Sequence, residues 1–125
     1  MGLLDGLMGH ASDADTKKIG EKLEGILLPE EEVRLAFNVL RDFFVFTDLR
    51  FMIVDVQGMT GKKTNYLTIP YGSISRFSLE TAGSFDLEAE LRIWLSGEDQ
   101  PIERTLGKGV DTKGIQQALA AGTLR

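Results

Sequence analysis

Apolar residues recur at helical spacing near both ends of the chain and at strand spacing almost everywhere between. Ile19, Leu23, Ile26 and Leu27 stand at i, i+4, i+7 and i+8, and Ser12-x-x-Asp15 with Asp13 resembles a helix start. A helix is therefore predicted from about Asp13 to Leu27, within a segment 13–28, and Pro29 turns the chain. From Val33 the period becomes two, with Val33, Leu35, Phe37 and Val39 alternating with polar or small residues. Phe43–Thr47 and Phe51–Val56 follow as a tight hairpin about Asp48 and Leu49, apolar on both faces. Burying one large apolar side chain is worth roughly 1.5–3 kcal/mol, so a covering helix or a partner subunit is expected on their second face.

After the glycine-containing turn Gln57–Lys63, a strand runs through Tyr66 to Pro70, which belongs at a strand end or an edge. Ile74 and the Phe77/Leu79 pair have opposite parity, which predicts a bulge. Ala89, Leu91, Ile93 and Leu95 then point inward while Asp86, Glu88, Glu90, Arg92 and Trp94 point outward, and a last strand carries Ile102, Arg104 and Leu106 on one side. Asp111 reads as the N-cap of a closing helix from Thr112 to about Ala121, with Val110 and Ile115 in register for a hydrophobic staple and Gly122 as its stop. The order is helix, about seven strands, helix, which a strongly bent sheet closed at one end by a helix would bury.

The chain has 125 residues, of which 42% are hydrophobic, enough for one core without staples. Cysteine is absent, which suits a reducing, cytoplasmic setting and excludes disulfides, thiolate metal sites and cysteine nucleophiles. The first basic residue is Lys17, so the basic start of a secretory signal is missing, and Arg41, Asp42, Asp48, Arg50 and Asp55 break every apolar run short of a membrane span. A net charge of −5 disfavours nucleic acid as a partner.

The succession Val45-Phe46-Thr47-Asp48-Leu49-Arg50, Thr60-Gly61-Lys62-Lys63, Ile69-Pro70-Tyr71-Gly72-Ser73-Ile74, Phe77 to Asp86 and Ala89-Glu90-Leu91-Arg92-Ile93-Trp94 resembles the bacterial pleckstrin-homology family. The resemblance covers roughly residues 30–121 and gives a division into a tail (1–12), an extra helix (13–28) and a PH-like domain (30–122). It implies a mainly β fold: a PH-like barrel of antiparallel strands in two near-orthogonal sheets with a C-terminal capping helix. It also implies closed, ring-like homo-oligomers. The basic cluster that lipid-binding members carry at the first hairpin is missing, since only Arg41 stands there, beside Asp42.

Candidate chemistry is sparse. Gly61-Lys62 echoes a phosphate-binding loop, but Val56 replaces the first glycine, Lys63 replaces Ser or Thr and a strand follows. Lys62 and Lys63 read instead as a hairpin turn able to meet an acidic partner. Asp86, Glu88 and Glu90 share a face but lack the loop that wraps a cation, so they and Arg92 read as a solvated or intersubunit row, with Trp94 at its end either an interface anchor or packed under a loop or helix. Leu3, Leu4, Leu7 and Met8 would share one side of a short helix; residues 1–12 read as a tail, or alternatively as an apolar plug on a neighbouring subunit. His10 is the only histidine and has no partners for a zinc site or a triad. No catalytic residue, metal or cofactor is expected. The expected function is a non-catalytic binding and assembly module whose partner is itself, and also another protein or peptide. The alternative is a peripheral membrane domain using Leu3, Leu7 and the lysine turn.

Overall fold

Strict alternation along β2 and β3 gives this protein two apolar layers on one sheet. The computed structural model describes residues 13–39, 42–57, 63–81, 88–107 and 109–125. Helix α1 (Asp13–Lys22) precedes strands β1 (Val33–Val39), β2 (Asp42–Thr47), β3 (Arg50–Gln57) and β4 (Lys63–Pro70). A single 3-10 turn, Tyr71–Ser73, leads to β5 (Ile74–Thr81), β6 (Ala89–Leu95), β7 (Ile102–Leu106) and helix α2 (Thr112–Thr123). The strands pair antiparallel in the orders β1-β2-β3-β4 and β5-β6-β7. Among the described residues the two sheets share no ladder, so the expected barrel is a pair of packed sheets rather than a closed cylinder.

One face of β2 and β3 looks into the main core. Phe44, Phe46, Phe51 and Ile53 meet Leu91, Ile93 and Leu106 of the second sheet, and Ile115 and Leu119 of α2 close the end. Phe46 and Phe51 lie directly across the hairpin, with rings stacked at 4.3 Å. The opposite parity, Val45, Met52 and Val54, is covered from within the chain by Ile19, Leu23 and Leu27. The second apolar face therefore has its covering helix and does not by itself call for a partner subunit.

That helix is shorter than its apolar stripe. Leu27 N–H still bonds the Leu23 carbonyl, but Gly25 adopts φ +89°, outside right-handed helix, and α1 ends at Lys22 rather than Leu27. Ile26 is consequently turned outward, 37% exposed. The predicted bulge in β5 is present, as a register shift between Ile74 and Arg76. Asp111 caps α2 by accepting from Gly114 N–H at 2.9 Å, and Val110 packs on the core beside Ile115. Gly122 is not the helix stop. The helix continues through Thr123, and Gly122 sits where a Cβ would collide with the ring of Tyr71.

Candidate functional site

The residues singled out from sequence separate onto two surfaces. Glu90, Arg92 and Trp94 share the outer face of β6, as their parity required, and the strand register brings Arg76, Glu80, Glu103 and Thr105 beside them. Arg92 lies between two carboxylates, at 3.1 Å from Glu80 and 3.0 Å from Glu103. Thr105 donates to Glu90 at 3.1 Å, and the Arg76 guanidinium stacks 4.3 Å from the centre of the Trp94 ring. The face is thus a lattice of charges that satisfy one another, with a half-buried indole at one end. Glu88 is exposed just before β6. Lys63 opens β4 in the other sheet, exposed and opposite Gln57. Lys62, Asp86, Leu3 and Leu7 lie outside the described residues.

The β4 strand itself is the more consequential feature. It pairs with β3 over eight consecutive residues, Lys63 to Pro70, with no register shift, and its other edge has no ladder partner among the described residues. Thr64, Asn65, Tyr66 and Thr68 are exposed. An edge of this kind presents a row of N–H and C=O groups that natural proteins normally blunt with bulges, charge or short length. The other edges are blunted: β1 and β5 each carry a register shift, and β7 has only five residues. The proline expected at a strand end or an edge, Pro70, stands at both.

Two sites escaped the reading of the sequence. Glu31, with no side-chain exposure, forms a bidentate pair with Arg50: Nε donates to Oε2 at 2.7 Å and Nη2 to Oε1 at 2.8 Å. Thr47 Oγ1 donates to the same carboxylate at 2.6 Å and Leu28 N–H at 3.0 Å. The Arg50 hydrogen bond, supported by Thr47 and Leu28 and opposed by desolvation, pulls the Glu31 pKa from 4.5 to about 2. This cluster ties the segment after α1 to the β2–β3 turn, because Arg50 Nη2 also donates to the Ile26 carbonyl at 3.1 Å. The second site is an open groove of about 710 Å³ between β1 and α2, with Arg34 and Asp48 on one wall, Gln117 and Ala121 on the other and Tyr71 at its base. Tyr71 donates its hydroxyl to the Thr47 carbonyl at 2.7 Å, and burial raises its pKa.

These side chains serve packing and mutual pairing. Burial, with help from the Asp55 carboxylate, raises the Asp42 pKa against the Val56 N–H and Arg104. No group of three His, Cys, Asp or Glu side chains suited to a metal occurs among the described residues. Within the same residues, no helix is long and apolar enough to cross a membrane.

Comparison with known proteins settles the family. The profile of the Bacterial PH domain matches residues 2–123, nearly the whole chain. The chain belongs to the bacterial PH-domain family. A crystal structure of a pleckstrin homology domain from Shewanella amazonensis SB2B superposes with a TM-score of 0.81 at 46% identity, covering 98% of this chain and 99% of that one. A DUF1696 family protein with a pleckstrin-homology domain, from Shewanella loihica PV-4, gives 0.79 at 42% identity over 86% of this chain and 92% of its own. The uncharacterized protein YjqA of Bacillus subtilis is 52% identical over 122 residues, which is 97% of this chain and 98% of the relative. Membership accounts for the two sheets and the closing helix. A PH-like fold carries many functions, so the site has to argue its own.

Proposed function

We propose that this PH-like domain is a non-catalytic assembly and binding module that works in the cytoplasm as a homo-oligomer. The observation that carries the reading is the β4 edge, eight residues long, unbulged, exposed and without a ladder partner among the described residues. Main-chain pairing at such an edge joins one chain to another without a deep pocket. A head-to-tail contact between β4 of one copy and a strand edge of the next generates a ring wherever the rotation closes. Charge supports that polarity. Were β4 to run antiparallel to a neighbour's β5, Lys63 would meet the Thr81 end of that strand, near Glu80 and the exposed Glu88. Several copies in one ring also present several copies of the β1–α2 groove, so a weakly bound protein or peptide would be held by avidity.

Light scattering coupled to size exclusion tests this reading on the full chain and on two variants, Thr64→Pro and Asn65→Pro. Successive residues of a strand direct their N–H groups to opposite sides. One proline therefore removes a bond to β3 and weakens the fold, while the other removes only an outward donor. The native chain is expected to run as a discrete multimer, and the variant that keeps its native circular dichroism as a monomer. A native chain that stays monomeric at high concentration overturns assembly, and a multimer that persists in both variants removes β4 from it. Co-sedimentation of the native chain with anionic vesicles would put the peripheral membrane reading in its place.

A further inference from the structure

Arg34 differs from every other described arginine in having nothing to hold. Arg50 pairs with Glu31, Arg92 with Glu80 and Glu103, Arg76 stacks on Trp94, and Arg104 and Arg125 donate to the carbonyls of Glu103 and Ala121. Among the described residues the Arg34 guanidinium has no ion-pair or hydrogen-bond partner. Asp48 stands on the same wall of the β1–α2 groove, but its Oδ1 accepts the Glu32 N–H at 2.9 Å. The backbone accounts for where Arg34 stands. Val33 lies opposite Thr47 and Leu35 opposite Phe46, so Arg34 is the extra residue of a bulge in β1. A bulge re-aims the side chain it carries, and this one is exposed and lines the groove. Burial raises the Tyr71 pKa, Asp48 adds to the rise and Arg34 opposes it, so both charges lie within electrostatic range of the hydroxyl at the groove's base.

The rest of the groove fits a chain that passes through it. Its volume of about 710 Å³ lies within the roughly 300–1,000 Å³ of ligand sites, yet it is open, whereas a small-molecule site buries most of its ligand. Half-buried Leu35 and Ala118 supply apolar contact, and the exposed Gln117 amide has no partner among the described residues. Arg34 and Arg125 set two cationic side chains against the single carboxylate of Asp48, on a chain whose net charge is −5.

We propose that the groove binds an extended peptide segment of another protein through an acidic side chain, whose carboxylate is gripped by Arg34 while an apolar neighbour packs on Leu35 and Ala118. A planar guanidinium donates two parallel bonds to a carboxylate, which an amide of the same shape cannot match. This deepens the binding half of the function proposed above and rests on that reading's choice of a protein or peptide as partner. The groove lies at the opposite edge of the four-stranded sheet from β4, so pairing along β4 leaves it open.

The test uses the full-length protein and an array of terminally blocked octapeptides with one position fixed as Glu, Gln or Lys and the others randomised. The strongest binders are then titrated in solution by fluorescence anisotropy beside their Glu-to-Gln counterparts. Glu peptides should bind at least about tenfold more tightly, the difference expected of one charge-assisted pair. Arg34→Gln should lose that preference. Lys113→Gln removes the same charge from an exposed position of α2 outside the groove and should keep it. Ala121→Phe, at an exposed position of the opposite wall, should block binding while leaving Arg34 in place. Equal affinity for Glu and Gln peptides overturns the proposal, as does a preference that survives Arg34→Gln or undiminished binding to a folded Ala121→Phe protein. Free glutarate that binds as tightly as the selected peptides overturns it too, leaving a site for small anions. Affinity per site is read separately from the mass of the assembly. A monomer that selects Glu peptides therefore loses the ring and keeps this groove, and a ring without that selection does the reverse.

Discussion

Glu31→Ala is expected to cost about 3 kcal/mol of stability, near the lower end for breaking a buried ion pair. For a domain of this size that corresponds to a fall of roughly 10 °C in Tm. The loss has several parts. Arg50, with 17% of its side chain exposed, keeps its bonds to Thr68 and to the Ile26 carbonyl but loses both carboxylate oxygens. Leu28 N–H loses its acceptor, and Thr47 Oγ1 loses the 2.6 Å carboxylate acceptor and is left with the Arg50 carbonyl at 3.2 Å, while it still receives Leu49 and Arg50 N–H at 3.0 Å. Partial exposure of Arg50 allows water to replace part of what is lost, which is why the lower end of the range applies. Arg50→Ala should be at least as damaging, because it strands a carboxylate with no side-chain exposure at all. Replacing both together, Glu31→Leu with Arg50→Met, removes both charges and is expected to recover part of the loss. Thermal melts of the four proteins compare these costs, and a cost below about 1 kcal/mol for Glu31→Ala would reduce the pair to the standing of a surface salt bridge.

The same cluster sets an acid limit on the fold. Because the folded pKa of Glu31 is depressed, its contribution is complete above the unfolded value of 4.5 and is lost as pH falls toward about 2. The difference between those values corresponds to about 3 kcal/mol, in line with the mutational expectation. Urea melts between pH 6 and pH 2.5 should show the native chain losing more stability than Glu31→Gln over the acid half of the range. Parallel curves would mean that Glu31 is ionised no more readily in the fold than in the unfolded chain.

Parity and the Asp111 cap were legible in the chain because they are local. Alternation alone separates Phe44 and Phe46 from Val45, and two apolar faces on β2 and β3 require two layers, which Leu91 and Leu23 supply from opposite sides. The outward set Glu90, Arg92 and Trp94 is read the same way. Its partners are not, since Arg76 and Glu80 come from β5, whose pairing with β6 carries the shift between Ile74 and Arg76, and Glu103 comes from β7. Glu31 and Arg50 are 19 residues apart and meet only because the chain after Pro29 crosses the end of the hairpin, an approach that no periodicity encodes. The end of α1 was misjudged for a related reason. The apolar stripe continues through Leu27, but the left-handed Gly25 lets Leu27 pack while Ile26 turns away, so side-chain spacing survives after the helical ladder has ended.

Gly122 is the sharpest case of a local rule overruled, and Gly122→Ala should destabilise the protein by about 1–2 kcal/mol. Helix propensity by itself gives the opposite sign, with alanine favoured over glycine by about 1 kcal/mol in a helix interior. Packing decides between them. A Cβ at position 122 would overlap the Tyr71 ring, which is 7% exposed and cannot swing into solvent without losing its burial. The ring is also held at its far end, where the hydroxyl donates to the Thr47 carbonyl at 2.7 Å, so displacement threatens a net hydrogen bond of about 1 kcal/mol as well. The backbone of α2 has little freedom to retreat, because Ile115 and Leu119 anchor it in the core and Leu124 N–H still bonds the Ala120 carbonyl at 3.0 Å. Denaturant melts of Gly122→Ala in the native and Tyr71→Leu backgrounds separate the two effects. With the ring removed, the methyl group has room and alanine should become neutral or favourable. Gly122→Ala that stabilises the native chain would mean that α2 slides freely on Tyr71, and that the helix closes the sheets more loosely than its contacts indicate.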